Sequence, residues 1–281
     1  MNNFVDKTFE VVAGFQTIKI AYREWGPQDS SKVVFCVHGR SRNMKDFDVF
    51  ANAISDRCRV ITIDLPGRGA SDWLNNKSLY NYKLYELVCA HAIARSGAEK
   101  VIWFGTSMGG VVGMHLASKG APFSKLILND IGPYVSAKGW RQNNPSFEKY
   151  PQFKTEEEGI AYIRETRHTF GPFTEAGWQK FGRDSLRQLD DDNWTHHYDP
   201  ALLKVPNKHL QDSDMWNIWN NITIPVLTVW GKESVLLTDS TVNRMSRTGP
   251  KSEILPVAGV GHCPGLTTPL EISTIAEFID R

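Results

Sequence analysis

The chain contains 281 residues, 41% of them hydrophobic, and carries a formal net charge of +1 at pH 7. This length fits one large domain, or one domain with an insertion. The near-neutral charge and the absence of a Lys/Arg cluster in the sequence argue against binding to nucleic acid or to an anionic membrane. No apolar run approaches the roughly 20 residues that span a bilayer, and the first residues lack the apolar core of a signal peptide. We therefore expect a cytoplasmic protein.

The first predicted elements are two strands, at 8–12 and 17–22, which flank Gly14 and predict an N-terminal antiparallel hairpin. Helical patterns of period 3.6 follow at 84–93 and, near the end, at 272–279. Short, β-branched-rich apolar runs alternate with such patterns and are typical of strands buried on both faces of a parallel sheet. They lie at 33–37, 59–63, 101–104, 126–128 and 226–230. This alternation predicts a three-layer α/β/α sandwich.

A G-x-S-x-G pattern, made by Gly105, Ser107 and Gly109, directly follows the apolar run at 101–104. A helix-compatible stretch at 110–117 comes next. At a sharp turn between strand and helix, a Cβ on either flank of the serine would collide with the adjoining element, so small residues are required. The serine hydroxyl then lies at a helix N-terminus, where backbone N–H groups can stabilise an oxyanion. The pattern therefore predicts Ser107 as a nucleophile.

Further motifs follow the predicted strands in a fixed order. A His-Gly-Arg sequence at 38–40 follows the first run, and Asp-Leu-Pro-Gly-Arg-Gly at 64–69 follows the second. An Asn-Asp-Ile-Gly-Pro sequence lies at 129–133, and a late Gly-His pair lies at 261–262. Together with the turn at Ser107, this order resembles the α/β-hydrolase family over nearly the whole chain. Within that family, the chain resembles bacterial esterase-type members.

The resemblance implies an α/β-hydrolase fold, with a mostly parallel central sheet, helices on both faces and a helical cap inserted after the sixth strand. We assign 1–133 and 219–281 to the core and 134–218 to the cap. The cap segment carries no convincing strand and has helical stretches at about 155–169 and 174–190. Its aromatic residues either line an apolar substrate pocket or hold the cap on the core. Five tryptophans fall in or just beyond it: Trp140, Trp178, Trp194, Trp216 and Trp219.

Acyl transfer by a serine requires a histidine base, an acid that orients the histidine, and donors for the oxyanion. His262 is the predicted base, because a glycine-containing loop after the last strand can bring its imidazole over the sheet. We expect His38 to hold loop backbone through a side-chain hydrogen bond. The backbone N–H groups of Met108 and Arg40 are the predicted oxyanion hole.

The side chains of Arg40 and Arg42 lie near the predicted site entrance. They could attract an acidic group of a substrate or be solvated, and we expect them to be solvated.

The orienting acid has three candidate explanations. Relatives that this chain resembles carry an aspartate in a Gly-x-x-Ser-Asp-Leu-Leu segment, whereas the corresponding segment here is Gly-Lys-Glu-Ser-Val-Leu-Leu at 231–237. Val235 stands at the expected acid position and cannot accept a hydrogen bond. Asp130, at the end of the sixth strand, is the candidate that we favour. Alternatively, Glu233 reaches the histidine, or the acid is missing through drift or an engineered change.

The resemblance implies a serine hydrolase that cleaves carboxylic esters of small to medium acyl or aryl substrates through an acyl-enzyme on Ser107. We expect a small-molecule ester as the partner, no cofactor or metal, and a monomer or homodimer. The four cysteines lack metal-ligand spacing, and Cys36 and Cys58 are predicted to be packed thiols. One alternative is a carbon–carbon bond hydrolase of the meta-cleavage-product type. Another is a slow or non-catalytic ligand-binding member, because Val235 replaces the usual acid.

Overall fold

The computed structural model describes residues 4–143, 149–204 and 211–281. Its strands are β1 (Phe4–Ala13), β2 (Gln16–Trp25), β3 (Val33–Val37), β4 (Arg59–Ile63), β5 (Val101–Thr106), β6 (Phe123–Asn129), β7 (Tyr134–Val135), β8 (Gln152–Phe153), β9 (Leu186–Gln188), β10 (Trp194–His196), β11 (Ser213–Asp214), β12 (Val226–Gly231) and β13 (Glu253–Val257). Its α-helices are α1 (Asp48–Ile54), α2 (Tyr82–Ser96), α3 (Met108–Ser118), α4 (Ala137–Asn143), α5 (Glu156–Thr166), α6 (Glu175–Asp184), α7 (Trp216–Asn220), α8 (Asp239–Met245) and α9 (Pro269–Asp280). Short 3-10 helices lie at Met44–Phe47, Lys77–Leu79 and Pro200–Leu203.

Eight strands form the central sheet, in the order β1-β2-β4-β3-β5-β6-β12-β13. β1 and β2 pair as an antiparallel hairpin around Gly14, and β2 pairs with β4 in the same sense. The other neighbours in the sheet pair in parallel. The predicted hairpin and the mostly parallel sheet are therefore confirmed. Because parallel strands end at the same edge of a sheet, the loops after β3, β4, β5, β6, β12 and β13 meet there.

Helices cover both faces of this sheet, and neighbouring strand residues point to opposite layers. Trp103 packs in the cluster that includes side chains of α2, α3 and α8. Phe104, the next residue, packs in the cluster that includes side chains of α1 and α9. Both residues are fully buried, and burial of a large apolar side chain contributes roughly 1.5–3 kcal/mol. The predicted three-layer architecture is confirmed, and Cys36 and Cys58 are buried free thiols in it, as expected.

The segment 134–218, which we call the inserted segment, contains the predicted helices α5 and α6, each shorter than expected. It also contains strands, which the sequence analysis did not predict. β8, β10 and β9 form one small sheet, and β7 pairs with β11. Strands of two or three residues are too short to produce an alternating pattern, so they could not be predicted from hydrophobic periodicity. The predicted boundary between 218 and 219 falls inside α7.

Hydrogen bonds join the inserted segment to loops at the carboxyl edge of the sheet. The N–H of Gly261 donates to the carbonyl of Thr169 at 2.8 Å, and the N–H of Asp199 donates to the carbonyl of Gly67 at 2.8 Å. The inserted segment therefore lies over the edge where the loops meet.

Across the part of the chain that the structure describes, no helix has the length and apolar character needed to cross a bilayer.

The fold leaves no room for a side chain at Gly109. A Cβ there would lie 2.1 Å from the carbonyl oxygen of Val37, which is backbone and cannot rotate away. We expect Gly109→Ala to lower the free energy of unfolding by about 1–3 kcal/mol or more, measured by urea denaturation.

Gly177→Ala in α6 is the matched control, because the nearest atom to its added Cβ is Phe173 Cβ at 3.3 Å. Alanine is the better helix former, so we expect little change or a gain of up to about 1 kcal/mol. Equal unfolding midpoints for the two variants would contradict the steric argument.

Candidate active site

Ser107 occupies the turn between β5 and α3. Its φ is 50° and its ψ is −112°, a conformation that a residue with a side chain rarely adopts and that costs about 1–3 kcal/mol. Backbone hydrogen bonds hold this turn in place. The N–H of Ser107 donates to the carbonyl of Asn129 at 3.0 Å, and the carbonyl of Ser107 accepts from Gly110 at 2.9 Å. The serine is therefore fixed at the carboxyl edge of the sheet.

The glycines on either side of Ser107 are required by contact distances. A Cβ on Gly105 would lie 2.4 Å from the backbone of Gly109. The space between strand and helix is thus filled by main chain, which confirms the prediction that this turn needs small residues.

His262 lies in the loop after β13, and both of its ring nitrogens are hydrogen-bonded. Nε2 lies 3.0 Å from Ser107 Oγ, and Nδ1 lies 2.8 Å from Asp130 Oδ2. The ring edge of Phe170, from the inserted segment, contacts the imidazole with a centroid separation of 6.0 Å. The structure therefore brings together three side chains that are far apart in the sequence, in the order serine, histidine and aspartate.

Asp130 directly follows β6, has a φ of 49° and is fully buried. Its Oδ1 accepts from the N–H of Gly231 at 2.9 Å, and its Oδ2 accepts from Ser234 Oγ at 2.5 Å as well as from His262. Three donors thus hold the carboxylate in one orientation. Ser234 was not predicted as a site residue, although it lies in the segment 231–237 that departs from the esterase pattern.

The other two explanations for the acid find no support in the contacts around His262. Glu233 is exposed, and no hydrogen bond joins it to His262 among the described residues. Val235 occupies the position where the resemblance implied an aspartate, yet Nδ1 of His262 is already bonded to Asp130. The substitution at Val235 therefore does not leave the imidazole without a carboxylate.

The environment of His262 favours its protonated form. Burial lowers the pKa of His262, but Cys263 and the Asp130 carboxylate outweigh burial and raise it from 6.5 to about 10. A carboxylate at Nδ1 stabilises the imidazolium because the two carry opposite charges.

His38 holds two loops together, as expected. Its Nδ1–H donates to the carbonyl of Gly39 at 2.6 Å, and its Nε2 accepts from the N–H of Leu65 at 3.0 Å. Burial lowers the pKa of His38 to about 3, so the ring is neutral. The buried carboxylate of Asp64 adds to this link, because it accepts from the N–H of Met44 at 2.7 Å.

Met108 and Arg40, the predicted oxyanion-hole residues, line the same cavity as Ser107. Met108 is the first residue of α3, and the N–H groups of the first helical turn have no partner inside the helix. A residue that the sequence analysis missed lies behind them. The buried guanidinium of Arg68 donates to the carbonyl of Arg40 at 2.9 Å and contacts Met108 Sδ at 3.7 Å. It also donates to Tyr85 Oη at 2.8 Å.

The expectation that Arg42 is solvated is wrong. Arg42 is 5% exposed, and its guanidinium bonds Asp46 and Ser185. Arg40 is half-buried and donates to the carbonyl of Leu202 at 3.1 Å. Ser185 and Leu202 belong to the inserted segment, which covers both arginines.

A cavity of about 690 Å³ opens beside Ser107 and His262. Trp140 lines it, whereas Trp216 and Trp219 are buried in the main core. Trp178 and Trp194 pack against a small cluster within the inserted segment, whose buried members are Ile160, Ile163, Phe181 and Leu186. Across the described residues, no group of three His, Cys, Asp or Glu side chains could hold a metal ion.

Comparison with known proteins identifies the family of this chain. The profile of the Alpha/beta hydrolase family matches residues 33–274. The chain belongs to the alpha/beta hydrolase family. Its fold is also similar to that of an alpha/beta hydrolase from Novosphingobium aromaticivorans, with a TM-score of 0.89, 24% identity, and coverage of 100% of this chain and 99% of the other.

Two relatives of this alpha/beta hydrolase have names that state a reaction. A 3-hydroxybutyrate-oligomer hydrolase from Cupriavidus necator is 35% identical over 270 residues, which cover 92% of each chain. A pimeloyl-[acyl-carrier protein] methyl ester esterase from Vibrio cholerae is 25% identical, over 86% of this chain and 92% of the relative. Both names describe the hydrolysis of an ester.

The hydrogen bond from His262 to Asp130 predicts a titration effect. In Asp130→Asn, the imidazolium loses the negative charge at Nδ1, and we expect the pKa of His262 to fall by about 1–3 units. Histidine side-chain NMR over a pH series measures this. Glu233→Gln is the control and should leave the pKa unchanged. A shift of the same size in both variants would contradict the pairing.

Proposed function

We propose that this chain is a serine hydrolase of carboxylic esters. The observation that carries the proposal is the continuous hydrogen-bonded series from Ser107 Oγ to His262 Nε2, at 3.0 Å, and from His262 Nδ1 to Asp130 Oδ2, at 2.8 Å. This series supplies a nucleophile, a base and an orienting carboxylate, which are the groups that acyl transfer by serine requires. The ester hydrolases among the relatives support the same reaction class.

In the first half of the reaction, Ser107 Oγ attacks the ester carbonyl carbon while His262 Nε2 accepts the hydroxyl proton. The carbonyl oxygen becomes an oxyanion, for which we assign the backbone N–H groups of Met108 and Arg40 as donors. Collapse of the tetrahedral intermediate breaks the bond to the alcohol oxygen. His262 gives its proton to that oxygen, the alcohol leaves, and the acyl group stays on Ser107.

In the second half, water replaces the alcohol. His262 accepts a proton from the water as its oxygen attacks the acyl carbon, and a second oxyanion forms in the same donor site. When this intermediate collapses, His262 returns the proton to Ser107 Oγ and the carboxylic acid is released. Asp130 stays ionised throughout and stabilises the imidazolium that forms in each half-reaction.

The substrates that we propose are esters of hydroxy acids, such as short 3-hydroxybutyrate oligomers. The relative of that name covers 92% of the chain at 35% identity. The cavity of about 690 Å³ beside Ser107 lies in the size range of small-molecule sites, about 300–1,000 Å³. Apolar side chains in its lining, including Val111, Ile131 and Phe170, suit the methyl and methylene groups of such an oligomer.

Replacement of the nucleophile tests the proposed reaction. We expect Ser107→Ala to lower the hydrolysis of 4-nitrophenyl butyrate and of the 3-hydroxybutyrate dimer by about 10⁴-fold or more, because no acyl-enzyme can form. Ser118→Ala, at the far end of α3, should retain the wild-type rate. Ester cleavage by Ser107→Ala at that same rate would rule out the proposed nucleophile.

The acid assignment predicts a loss of rate and a pH effect. Asp130→Asn should lower kcat by about 10⁴-fold, the size of loss seen when serine proteases lose this carboxylate. Only neutral His262 accepts a proton, and its pKa is raised, so kcat/KM should rise with pH along an acid limb above pH 6.5. The limb should move to lower pH in the variant. Full activity in Asp130→Asn would exclude this assignment.

A further inference from the structure

We propose that Arg167 binds a free carboxylate of the ester substrate, which makes ester-acids the preferred substrates over neutral esters of the same size. This inference rests on the proposed ester hydrolysis and adds a recognition site that lies apart from the reacting groups.

Arg167 follows α5 in the inserted segment and lines the cavity that also exposes Ser107 and His262. Its guanidinium carbon lies 6.0 Å from the ring centroid of Phe170. The Phe170 ring in turn contacts the His262 imidazole edge-on, at 6.0 Å. One aromatic side chain therefore separates the cation from the proposed base, a placement that suits a substrate group a few bonds away from the ester.

The charge of Arg167 has no carboxylate partner among the described residues, where no Asp or Glu oxygen lies within 4 Å of its guanidinium. It donates to the backbone carbonyl of Thr166 at 3.2 Å. Neighbouring arginines differ in this respect, since Arg164 pairs with Glu175 at 2.8 Å and Arg42 pairs with Asp46. A half-buried cation of this kind attracts an anion strongly, because water screens it poorly.

The other charged side chains that line the cavity also favour an anionic ligand. Among the described lining residues, Asp212 is the one acidic side chain, against Arg40, Arg42 and Arg167. Asp212 is already engaged, since it accepts from Tyr134 Oη at 2.5 Å and from the N–H of Ala137 at 2.9 Å. Burial lowers the pKa of Arg167, and the positive charge of Arg42 adds to this effect. A bound carboxylate would offset both effects, because its negative charge stabilises the charged guanidinium.

A structural role at the end of α5 is the competing explanation. Cations stabilise helix C-termini by about 0.3–1 kcal/mol, and Arg167 does contact the last carbonyl of this helix. Such a role predicts an effect on stability that is the same for every substrate. Carboxylate binding predicts discrimination between an acid and its neutral analogue, because a guanidinium donates two parallel hydrogen bonds to a carboxylate.

The experiment compares the 3-hydroxybutyrate dimer with its terminal carboxamide, which keeps the scissile ester and the shape but removes the charge. We expect Arg167→Met to raise KM for the dimer about 10–100-fold, the loss expected for a hydrogen bond to a charged group. Hydrolysis of the carboxamide should change less than about twofold. Arg167→Lys should restore part of the binding, because it keeps the charge but not the paired geometry.

Arg164→Met is the matched control, since Arg164 lies in the last turn of α5, three residues before Arg167, and is exposed and paired with Glu175. It should leave KM for both substrates unchanged. An equal rise of KM for dimer and carboxamide in Arg167→Met would overturn the inference in favour of a structural role. No rise for either substrate would overturn it as well.

Binding of 3-hydroxybutyrate, measured by calorimetry, separates this inference from the proposed reaction. The wild-type protein should bind the acid more tightly than 3-hydroxybutyramide, and Arg167→Met should abolish that difference. If the wild-type protein cleaves neither ester, the proposed reaction fails, and this binding comparison alone decides whether the carboxylate site exists. Equal affinity for acid and amide in the wild-type protein would refute the site.

Discussion

The strained turn at Ser107 is the constraint on which the rest of the site depends. A positive φ at a residue with a side chain is unfavourable, so the surrounding structure must hold it. Asn129 accepts the hydrogen bond from the serine N–H on one side, and the Trp103 indole donates to the carbonyl of Gly109 on the other, at 3.1 Å. Because Trp103 is fully buried between sheet and helix, the stability of the core maintains the position of the hydroxyl.

The inserted segment determines the environment of that hydroxyl. Phe170 contacts the imidazole of His262. Ser185 accepts a hydrogen bond from Arg42, and the carbonyl of Leu202 accepts one from Arg40. These contacts cover part of the edge of the sheet, and electrostatic interactions strengthen where less water screens the charges. Burial itself lowers the pKa of His262, but Cys263 and the fully buried Asp130 carboxylate outweigh this effect and raise the pKa to about 10. The half-buried cation at the end of α5 lies in the same environment.

Local features of the sequence predicted the nucleophile turn, because Gly105 and Gly109 meet requirements set within a few residues. Sequence reasoning left the acid among three alternatives, since its position depends on which strands are neighbours. β6 and β12 pair in parallel with Asn129 opposite Val229, and this register places Asp130 next to the loop that follows β12. The burial of Arg42 and the short strands could not be predicted from local sequence for a related reason. Arg42 is bonded by Ser185 of the inserted segment, and the short strands pair with one another within that segment.

The three proposed catalytic groups are attached to the fold in different ways. The residues that carry the hydroxyl and the carboxylate directly follow two adjacent strands, since Thr106 of β5 pairs with Asn129 of β6. His262 instead lies within the loop between β13 and α9, in which Gly259 has a φ of 71°. The two strands thus set the spacing between the alcohol and the acid, and the imidazole bridges that gap through its own two hydrogen bonds.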